Sequence, residues 1–230
     1  MATPLKAALE DLLRARRLRS DAPPLQGEDR RFSPLPTGIS SIDALLGGGF
    51  PRGQVSEVYG PVSSGRTGLV DALVTRTTRG GGLAAWMDPG DRLDPATAAW
   101  AGVDLTRLLW LRGGRPFSKV LSALGTLLGS GLFDVVVLDI AGMPRREVCV
   151  PQATWIRLAR TIEATPTALV LLANEHLSRS PRGVSWALFA AQPRWSGGPG
   201  PGRLFQGLEV EAGAGHHASH RVRFALQAVR

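Results

Sequence analysis

Eight consecutive residues, Gly60-Pro-Val-Ser-Ser-Gly-Arg-Thr67, have the types and the spacing of a loop that binds phosphate. They match the pattern Gly-x4-Gly-Lys-[Ser/Thr], except that Arg66 stands where lysine belongs. Glycines let successive backbone N–H groups curl around a phosphate at the positive N-terminus of a helix, and the hydroxyl of Thr67 would be offered to Mg²⁺. The candidate phosphate-binding residues are therefore Gly60, Ser63, Ser64, Gly65, Arg66 and Thr67.

The arginine in this loop leaves two interpretations open. Arg66 keeps the positive charge, but a planar guanidinium is bulkier than an ammonium group and directs its donors differently. The loop either still binds phosphate, or it is a tight strand-to-helix turn that binds nothing. We favour phosphate binding.

A second chemical signal is the carboxylate at the end of the apolar run Asp134-Val-Val-Val-Leu-Asp139. An aspartate in this position polarises the water shell of a bound Mg²⁺. Alone the signal is weak, because many parallel strands end in an aspartate that caps the following helix. Together with Thr67, however, Asp139 predicts a nucleotide site built from two parts of the chain.

Short apolar runs alternate with helical patterns through most of the chain, and they must position these residues. The runs are continuous rather than alternating in polarity, which is typical of a parallel sheet with helices on both faces. The sequence therefore predicts an α/β fold with a mostly parallel sheet flanked by helices. The predicted strands are 54–59, 83–87, 108–111, 133–139, 168–173, 208–212 and 222–228, and the predicted helices are 65–78, 95–101, 118–128 and 155–162.

Composition excludes several classes of protein. With 230 residues and 43% hydrophobic content, the chain can bury a sizeable core and is not disordered. Its net charge of +8 favours polyanionic partners without indicating sequence specificity. Cys149 is the single cysteine, which excludes an internal disulfide, and we interpret it as a small core residue. The first twenty residues lack the apolar segment of a secretory signal, so we expect a cytoplasmic protein.

Four segments, taken in order, resemble the RecA recombinase family. They cover most of residues 26–195, and their ordered series is far more specific than any one motif. The resemblance is closest to the short, divergent ImuA-type homologue that bacterial mutagenesis cassettes encode, and it implies a RecA-like P-loop core that binds ATP and Mg²⁺. The segments are LQGEDRRFSPLPTGISSIDALLGGGFPRGQVSEVYGPVSSGRTGL, AAWMDPGDRLDPATAAWAGVDLTRLLW, DVVVLDI and TALVLLANEH.

Departures from the family pattern bear on catalysis. The resemblance places Gly90 where the family has the glutamate that activates water, and Asp91 next to it is a candidate substitute. The family's γ-phosphate-sensing glutamine matches Glu175, a carboxylate of the wrong charge. Thr97 stands where an aromatic side chain would stack on adenine, whereas Asp94 remains in place to hydrogen-bond the base. At most a weak ATPase is therefore expected, because loss of the water-positioning group lowers the rate by orders of magnitude.

The DNA-binding loops of the family are also reduced. The second loop shrinks to about residues 176–183, before VSWALFAAQPRW, which resembles the RecA helix and strand that follow. Arg179 and Arg182 either contact the phosphates of single-stranded DNA or belong to a solvated loop, and both interpretations remain open. The large C-terminal domain of RecA has no counterpart, so we assign residues 37–230 to the RecA-like core.

An amphipathic helix and a Pro-rich linker are predicted in residues 1–36. Leu5, Leu9 and Leu12 share one helical face. This face packs on its own domain or, as the resemblance implies, docks onto a neighbouring protomer or onto RecA itself. We favour docking, because the linker would let the helix reach another protein.

Two functions follow from these observations. The first is an accessory or adaptor protein in the DNA-damage (SOS) response and error-prone translesion synthesis. Its expected partners are a Y-family-like polymerase accessory subunit, an error-prone polymerase and RecA, in the bacterial cytoplasm at the nucleoid. The second is an active DNA-dependent ATPase of the recombinase type. A small-molecule kinase is disfavoured, because no lid-like arginine segment follows the core.

Overall fold

A computed structural model describes residues 11, 32–163, 165–178, 183–198, 200–214 and 221–227. The predicted docking leucines (Leu5, Leu9, Leu12) and the candidate DNA contacts (Arg179, Arg182) lie outside these ranges. Within them, no helix combines the length and the apolar character needed to cross a membrane.

Helices and strands largely alternate between residues 40 and 173, and three further strands follow with no helix among the described residues between them. The helices are α1 (Ser40–Leu45), α2 (Arg66–Arg79), α3 (Pro95–Trp100), α4 (Phe117–Ser130), α5 (Arg145–Val148) and α6 (Gln152–Ile162). The strands are β1 (Val55–Tyr59), β2 (Ala84–Asp88), β3 (Leu108–Arg112), β4 (Val135–Asp139), β5 (Ala168–Ala173), β6 (Ser185–Ser196), β7 (Leu204–Ala214) and β8 (Arg221–Gln227). A 3₁₀ turn, Leu105–Arg107, precedes β3.

All eight strands form one sheet in the order β3-β2-β4-β5-β1-β6-β7-β8. The first six in this order are parallel, and β7 and β8 are added antiparallel to β6. The prediction of a mostly parallel α/β sheet is confirmed. Because parallel strands share one carboxyl edge, the ends of β1, β2, β4 and β5 meet at the same side of the molecule.

Helices cover both faces of the sheet. On one face, α4 and α6 bury apolar side chains such as Leu124, Trp155 and Ile162 against the strands. On the other face, α1 and α2 pack Ile42 and Leu69 into a second core. The central strands are buried along their whole length, which explains why their sequences are continuous apolar runs.

The segment VSWALFAAQPRW does not contain the expected helix. It forms the long strand β6, whose first part pairs in parallel with β1 and which pairs with β7 from Trp186 to Ser196, with two register shifts. Trp186 and Leu188 are buried against the second core, so the sheet satisfies both the backbone and the apolar side chains of this segment. The Gly/Pro run after Ser196 connects β6 to β7.

Candidate functional site

The predicted phosphate loop connects the central strand β1 to α2. Ser63 (φ 62°) and Gly65 (φ 86°) take left-handed conformations, which bend the chain between strand and helix. A Cβ atom at Gly60 would collide with the carbonyl oxygen of Leu188, so only glycine fits there. Ser64 is buried, and its Oγ has no hydrogen-bond partner in the described part of the chain.

Arg66 is turned toward its own loop. The residue is only 5% exposed, and its Nη1 donates hydrogen bonds to the carbonyl oxygens of Gly60 and Pro61, the latter at 3.0 Å. Burial lowers the pKa of Arg66, an effect that Asp139 opposes and the positive charge of Arg92 strengthens. The cation thus stays at the loop, with part of its hydrogen-bonding capacity already used.

A cavity of about 180 Å³ opens beside the loop. Five residues singled out in the sequence share its wall, namely Arg66, Thr67, Asp94, Thr97 and Asp139. Asp71 and Arg92, which the sequence did not single out, also line it. The structure therefore brings together the loop, the end of β4 and the predicted adenine contact.

Two carboxyl groups in this cavity have raised pKa values. Burial raises the pKa of Asp139 to about 6, although a hydrogen bond from the backbone N–H of Ala141 to Oδ1 (3.0 Å) opposes the shift. Burial also raises the pKa of Asp71 to about 7, with a further contribution from Asp139. Oδ1 of Asp71 is buried and has no hydrogen-bond partner among the described residues. These acids would be stabilised by a proton or by an added cation.

The donor set is compatible with Mg²⁺ that arrives with a nucleotide. Thr67 and Asp139 supply a hydroxyl and a carboxylate, and Mg²⁺ is commonly held by one or two carboxylates together with phosphate oxygens and water. No group of three or more His, Cys, Asp or Glu side chains in the described ranges could hold a metal ion by itself. The metal would thus depend on the nucleotide for its remaining ligands.

The turn after β2 contains Gly90 and Asp91, neither of which lines the cavity. Asp91 has a left-handed backbone (φ 53°) and forms two hydrogen bonds with Arg112, at 2.7 and 2.9 Å. These hydrogen bonds hold the pKa of Asp91 below its usual value. The carboxylate of Asp91 is thus engaged away from the cavity. A Cβ atom at Gly90 would lie 3.4 Å from Cγ and Cδ of Arg92, which does line the cavity.

Asp94 caps the helix that follows. Its carboxylate accepts hydrogen bonds from the hydroxyl of Thr97 (2.5 Å) and from the backbone N–H groups of Ala96 and Thr97. The Thr97 hydroxyl is the largest cause of the lowered pKa of Asp94. Asp94 and Thr97 both remain in the cavity wall, so this ionised carboxylate faces the space predicted for the base.

Glu175 lies at the end of β5, outside the cavity wall. Its Oε2 is 3.1 Å from Nη1 of Arg145, which is the first residue of α5. The neighbouring Asn174 accepts a hydrogen bond from the backbone N–H of Gly142 (3.2 Å). The ends of β4 and β5 are therefore joined by two polar contacts next to the cavity.

Comparison with known proteins identifies the family. A model of the RecA N-terminal domain matches residues 23–151, more than half of the chain. The chain belongs to the RecA family. RecA from Lactobacillus delbrueckii subsp. bulgaricus is 39% identical over 150 residues, which are 62% of this chain and 45% of that protein. RecA from Paenarthrobacter aurescens is 42% identical over 127 residues, which are 53% of this chain and 36% of that protein.

The match to these RecA relatives spans less than half of their length. Among solved structures, the crystal structure of the RadB recombinase is similar with a TM-score of 0.60 at 20% sequence identity. That similarity covers 83% of this chain and 95% of the RadB chain. It confirms the RecA-like α/β fold.

Two charged residues in the cavity wall of this RecA-family chain, Asp71 and Arg92, were not predicted from the sequence. Asp71 lies one helical turn after Thr67, so helical spacing alone could have placed it on the same face. Arg92 is four residues beyond Asp88, the end of β2, and no local pattern distinguished it. The side chain of Arg92, by contrast, is held at the cavity by a hydrogen bond to Ala141, which is distant in the sequence.

A buried carboxylate anchors the segment that follows β5 in this RecA-family core. Glu57, in the central strand β1, is fully buried and accepts hydrogen bonds from the backbone N–H of Leu177 (2.6 Å) and from the backbone N–H and hydroxyl of Ser178. Nδ1 of His176 lies 2.8 Å from its Oε2. Glu57 thus fixes residues 176–178, immediately before the candidate DNA-contacting arginines.

Proposed function

We propose that this chain is a RecA-like accessory protein that holds a nucleoside triphosphate weakly and does not turn it over efficiently. The observation that carries the proposal is that Gly90 stands at the position of the catalytic glutamate and that the side chain of Arg92 lies next to it. Glycine provides no group to orient or deprotonate water, and the aliphatic part of Arg92 lies 3.4 Å from the point where a side chain at Gly90 would begin. A guanidinium cannot act as a general base at neutral pH, because it stays protonated and offers no acceptor.

The two candidate substitutes for the missing base are engaged elsewhere. Asp91 is bound to Arg112, and Glu175 is bound to Arg145. Neither carboxylate lines the cavity. These ion pairs support low turnover, since a general base must come within hydrogen-bond reach of the attacking water.

The adaptor role rests on the resemblance to ImuA-type proteins together with this reduced site. In the proposal, the core is a docking platform in error-prone translesion synthesis after DNA damage. Its partners are a Y-family-like polymerase accessory subunit, an error-prone polymerase and RecA, and the site of action is the bacterial nucleoid. Leu5, Leu9 and Leu12 would form the docking face, and Arg179 and Arg182 would contact single-stranded DNA. The nucleotide would be ATP with Mg²⁺, held by the phosphate loop, Thr67 and Asp139.

A turnover assay tests the enzymatic part of this proposal. The rate of ATP hydrolysis by the purified chain is measured with and without single-stranded DNA, beside an Arg66→Ala variant. We expect background turnover that neither DNA nor the substitution changes. DNA-stimulated turnover that Arg66→Ala abolishes would contradict the proposal and identify the chain as an enzyme.

A binding assay tests the adaptor part. Replacing Leu5, Leu9 and Leu12 together by alanine should weaken capture of the polymerase accessory subunit or of RecA, because the apolar face would be lost. An Arg16→Ala variant, changed on the same predicted helix, serves as the matched control. Equal capture by all three proteins would argue against docking through this helix.

A DNA-dependent ATPase is the second candidate, and one observation favours it. Thr67 and Asp139 line the same cavity, which a metal–nucleotide site built from two parts of the chain would require. In that case Arg66 would bind the β-phosphate, and Asp91 or Glu175 would have to leave its ion pair to reach the water. The same turnover assay separates the two functions.

A further inference from the structure

Arg92 is held firmly at its backbone beside the phosphate loop. The buried carboxylate of Asp88 accepts hydrogen bonds from the backbone N–H groups of Arg92 (2.7 Å) and Leu93 (2.8 Å). Both of these hydrogen bonds go to Oδ2 of Asp88, and Nε1 of Trp110 lies 3.3 Å from the same atom. The turn after β2 is therefore pinned to the sheet, and the position from which the Arg92 side chain departs is fixed.

The guanidinium of Arg92 reaches across to the loop that follows β4. Its Nη1 donates a hydrogen bond to the carbonyl oxygen of Ala141 (2.9 Å). Gly142 has a left-handed backbone (φ 79°), and a Cβ atom there would collide with this nitrogen. Gly90 leaves room for the aliphatic part of the same side chain. Gly90 and Gly142 thus leave the space in which the Arg92 side chain lies, which we call the Arg92 channel.

Two guanidinium groups face one cavity in this arrangement. Arg92 and Arg66 both line it, together with Thr67 and Asp139. The charge of Arg92 disfavours the protonated form of Arg66, which means that the two cations interact across the site. An anion between them would relieve this repulsion and form charge-assisted hydrogen bonds with both. Arg92 as a whole is exposed, and only its Nη1 donates to Ala141 among the hydrogen bonds described for its side chain, which leaves further donors for a ligand.

We propose that Arg92 is a phosphate-binding residue of this site and contacts the terminal phosphate of a bound nucleoside triphosphate. The inference rests on the proposed function, in which the phosphate loop holds the inner phosphates. Arg92 stands opposite that loop, beside the end of β4, and the third phosphate is the part of the ligand that extends in this direction. A guanidinium binds phosphate oxygens but takes no proton from water, so Arg92 would add affinity for the triphosphate without supplying the missing general base.

The decisive measurement compares triphosphate and diphosphate binding. Affinities of the full-length chain for AMP-PNP and for ADP, each with Mg²⁺, are determined by isothermal titration calorimetry. The variants are Arg92→Ala and Arg92→Lys, and Arg112→Ala is the matched control, because it removes a nearby arginine that does not line the cavity. Thermal unfolding of each variant without nucleotide verifies that it folds.

We expect the wild type to bind AMP-PNP roughly tenfold more tightly than ADP, as one charge-assisted contact to the extra phosphate would provide. Arg92→Ala should lose this preference while its affinity for ADP stays unchanged. Arg92→Lys should keep part of the preference, because the charge remains, and Arg112→Ala should behave like the wild type.

Three results would overturn the inference. Arg92→Ala could bind AMP-PNP as tightly as the wild type or more tightly, which would show that the Arg92 side chain blocks the phosphate position instead of binding phosphate. It could lose affinity for both nucleotides equally, which would indicate a general structural effect. The wild type could fail to bind either nucleotide, which would leave the adaptor role standing. Efficient turnover, by contrast, would contradict the proposed function and would not affect the assignment of Arg92 as a phosphate ligand.

Discussion

Nδ1 of His176, in the segment that follows β5, lies 2.8 Å from Oε2 of Glu57 in the central strand β1. Glu57 is fully buried in the central strand and also accepts three hydrogen bonds from Leu177 and Ser178. A carboxylate with two accepting oxygens is required here, because donors approach both of them. One side chain therefore joins the middle of the sheet to the start of the predicted DNA-binding loop.

Replacing this carboxylate should loosen the segment after β5. In Glu57→Gln one acceptor becomes an NH₂ donor facing other donors, so we expect a loss of about 2–4 kcal/mol in the free energy of unfolding. Urea denaturation measures this loss, and hydrogen exchange of the Leu177 and Ser178 amides should accelerate. Glu209→Gln, on the exposed side of β7, is the control and should change stability little. Unaltered exchange at residues 177–178 would refute the anchoring role.

Restoring the missing glutamate should not by itself restore hydrolysis. In Gly90→Glu the new Cβ would lie 3.4 Å from Cγ and Cδ of Arg92, so we expect the carboxylate to pair with the Arg92 guanidinium and turnover to remain at background. Combining Gly90→Glu with Arg92→Ala and Arg66→Lys should raise ATP turnover at least tenfold, because the base would be free to reach water. The measurement is phosphate release with single-stranded DNA present. A full gain from Gly90→Glu alone would show that Arg92 does not obstruct that position.

Stability should depend on pH through Asp71. Its pKa is about 7 in the folded protein and about 3.9 in an unfolded chain, so between these values the folded state holds a proton that the unfolded state releases. Stability attributable to this group is therefore greatest at low pH and falls as the pH rises toward 7. Asp71→Asn should stabilise the protein more at pH 8 than at pH 5, by about 2 kcal/mol. Thermal unfolding of both proteins at the two pH values is the measurement, and a difference independent of pH would contradict the expectation.

The phosphate loop should tolerate no side chain at Gly65. A Cβ atom there would lie 2.7 Å from Cγ2 of Val210 in β7, and its backbone is left-handed as well. Gly47 is also left-handed (φ 66°) but has no atom within 4 Å of such a Cβ. Gly47→Ala should thus lose about 1 kcal/mol from backbone strain, whereas Gly65→Ala should lose a further 1–3 kcal/mol from overpacking. Equal losses in urea denaturation would show that β7 moves away without difficulty.

Much of the fold was predictable from the sequence because the buried strands are continuous apolar runs. The strand Ala168–Ala173 has the predicted bounds, and Asp139 ends β4 as expected. The interpretation of Cys149 as a core residue is wrong, because Val148 takes the buried position at the end of α5 and Cys149 is exposed. A run of only four helical residues gives no periodicity from which to distinguish the two faces.

The site was predictable only where a local motif carries it. Residues 60–67 and Asp139 follow from spacing along the chain and from the parallel sheet that aligns strand ends. Arg92 was missed because its position depends on a hydrogen bond to Ala141 and on a glycine at 142, nearly fifty residues away. Propensity and periodicity describe neighbours in sequence and contain no information about such a pairing.

The Arg92 channel has an evolutionary consequence. Because a side chain at Gly142 would occupy the place of the Arg92 guanidinium, the two positions are not free to mutate independently. Homologous sequences with arginine at the first position should have glycine at the second, and lineages that lose the arginine should be released to accept alanine or serine there. Covariation of this pair across related genomes would therefore distinguish the branch of the family that has this arginine from the rest.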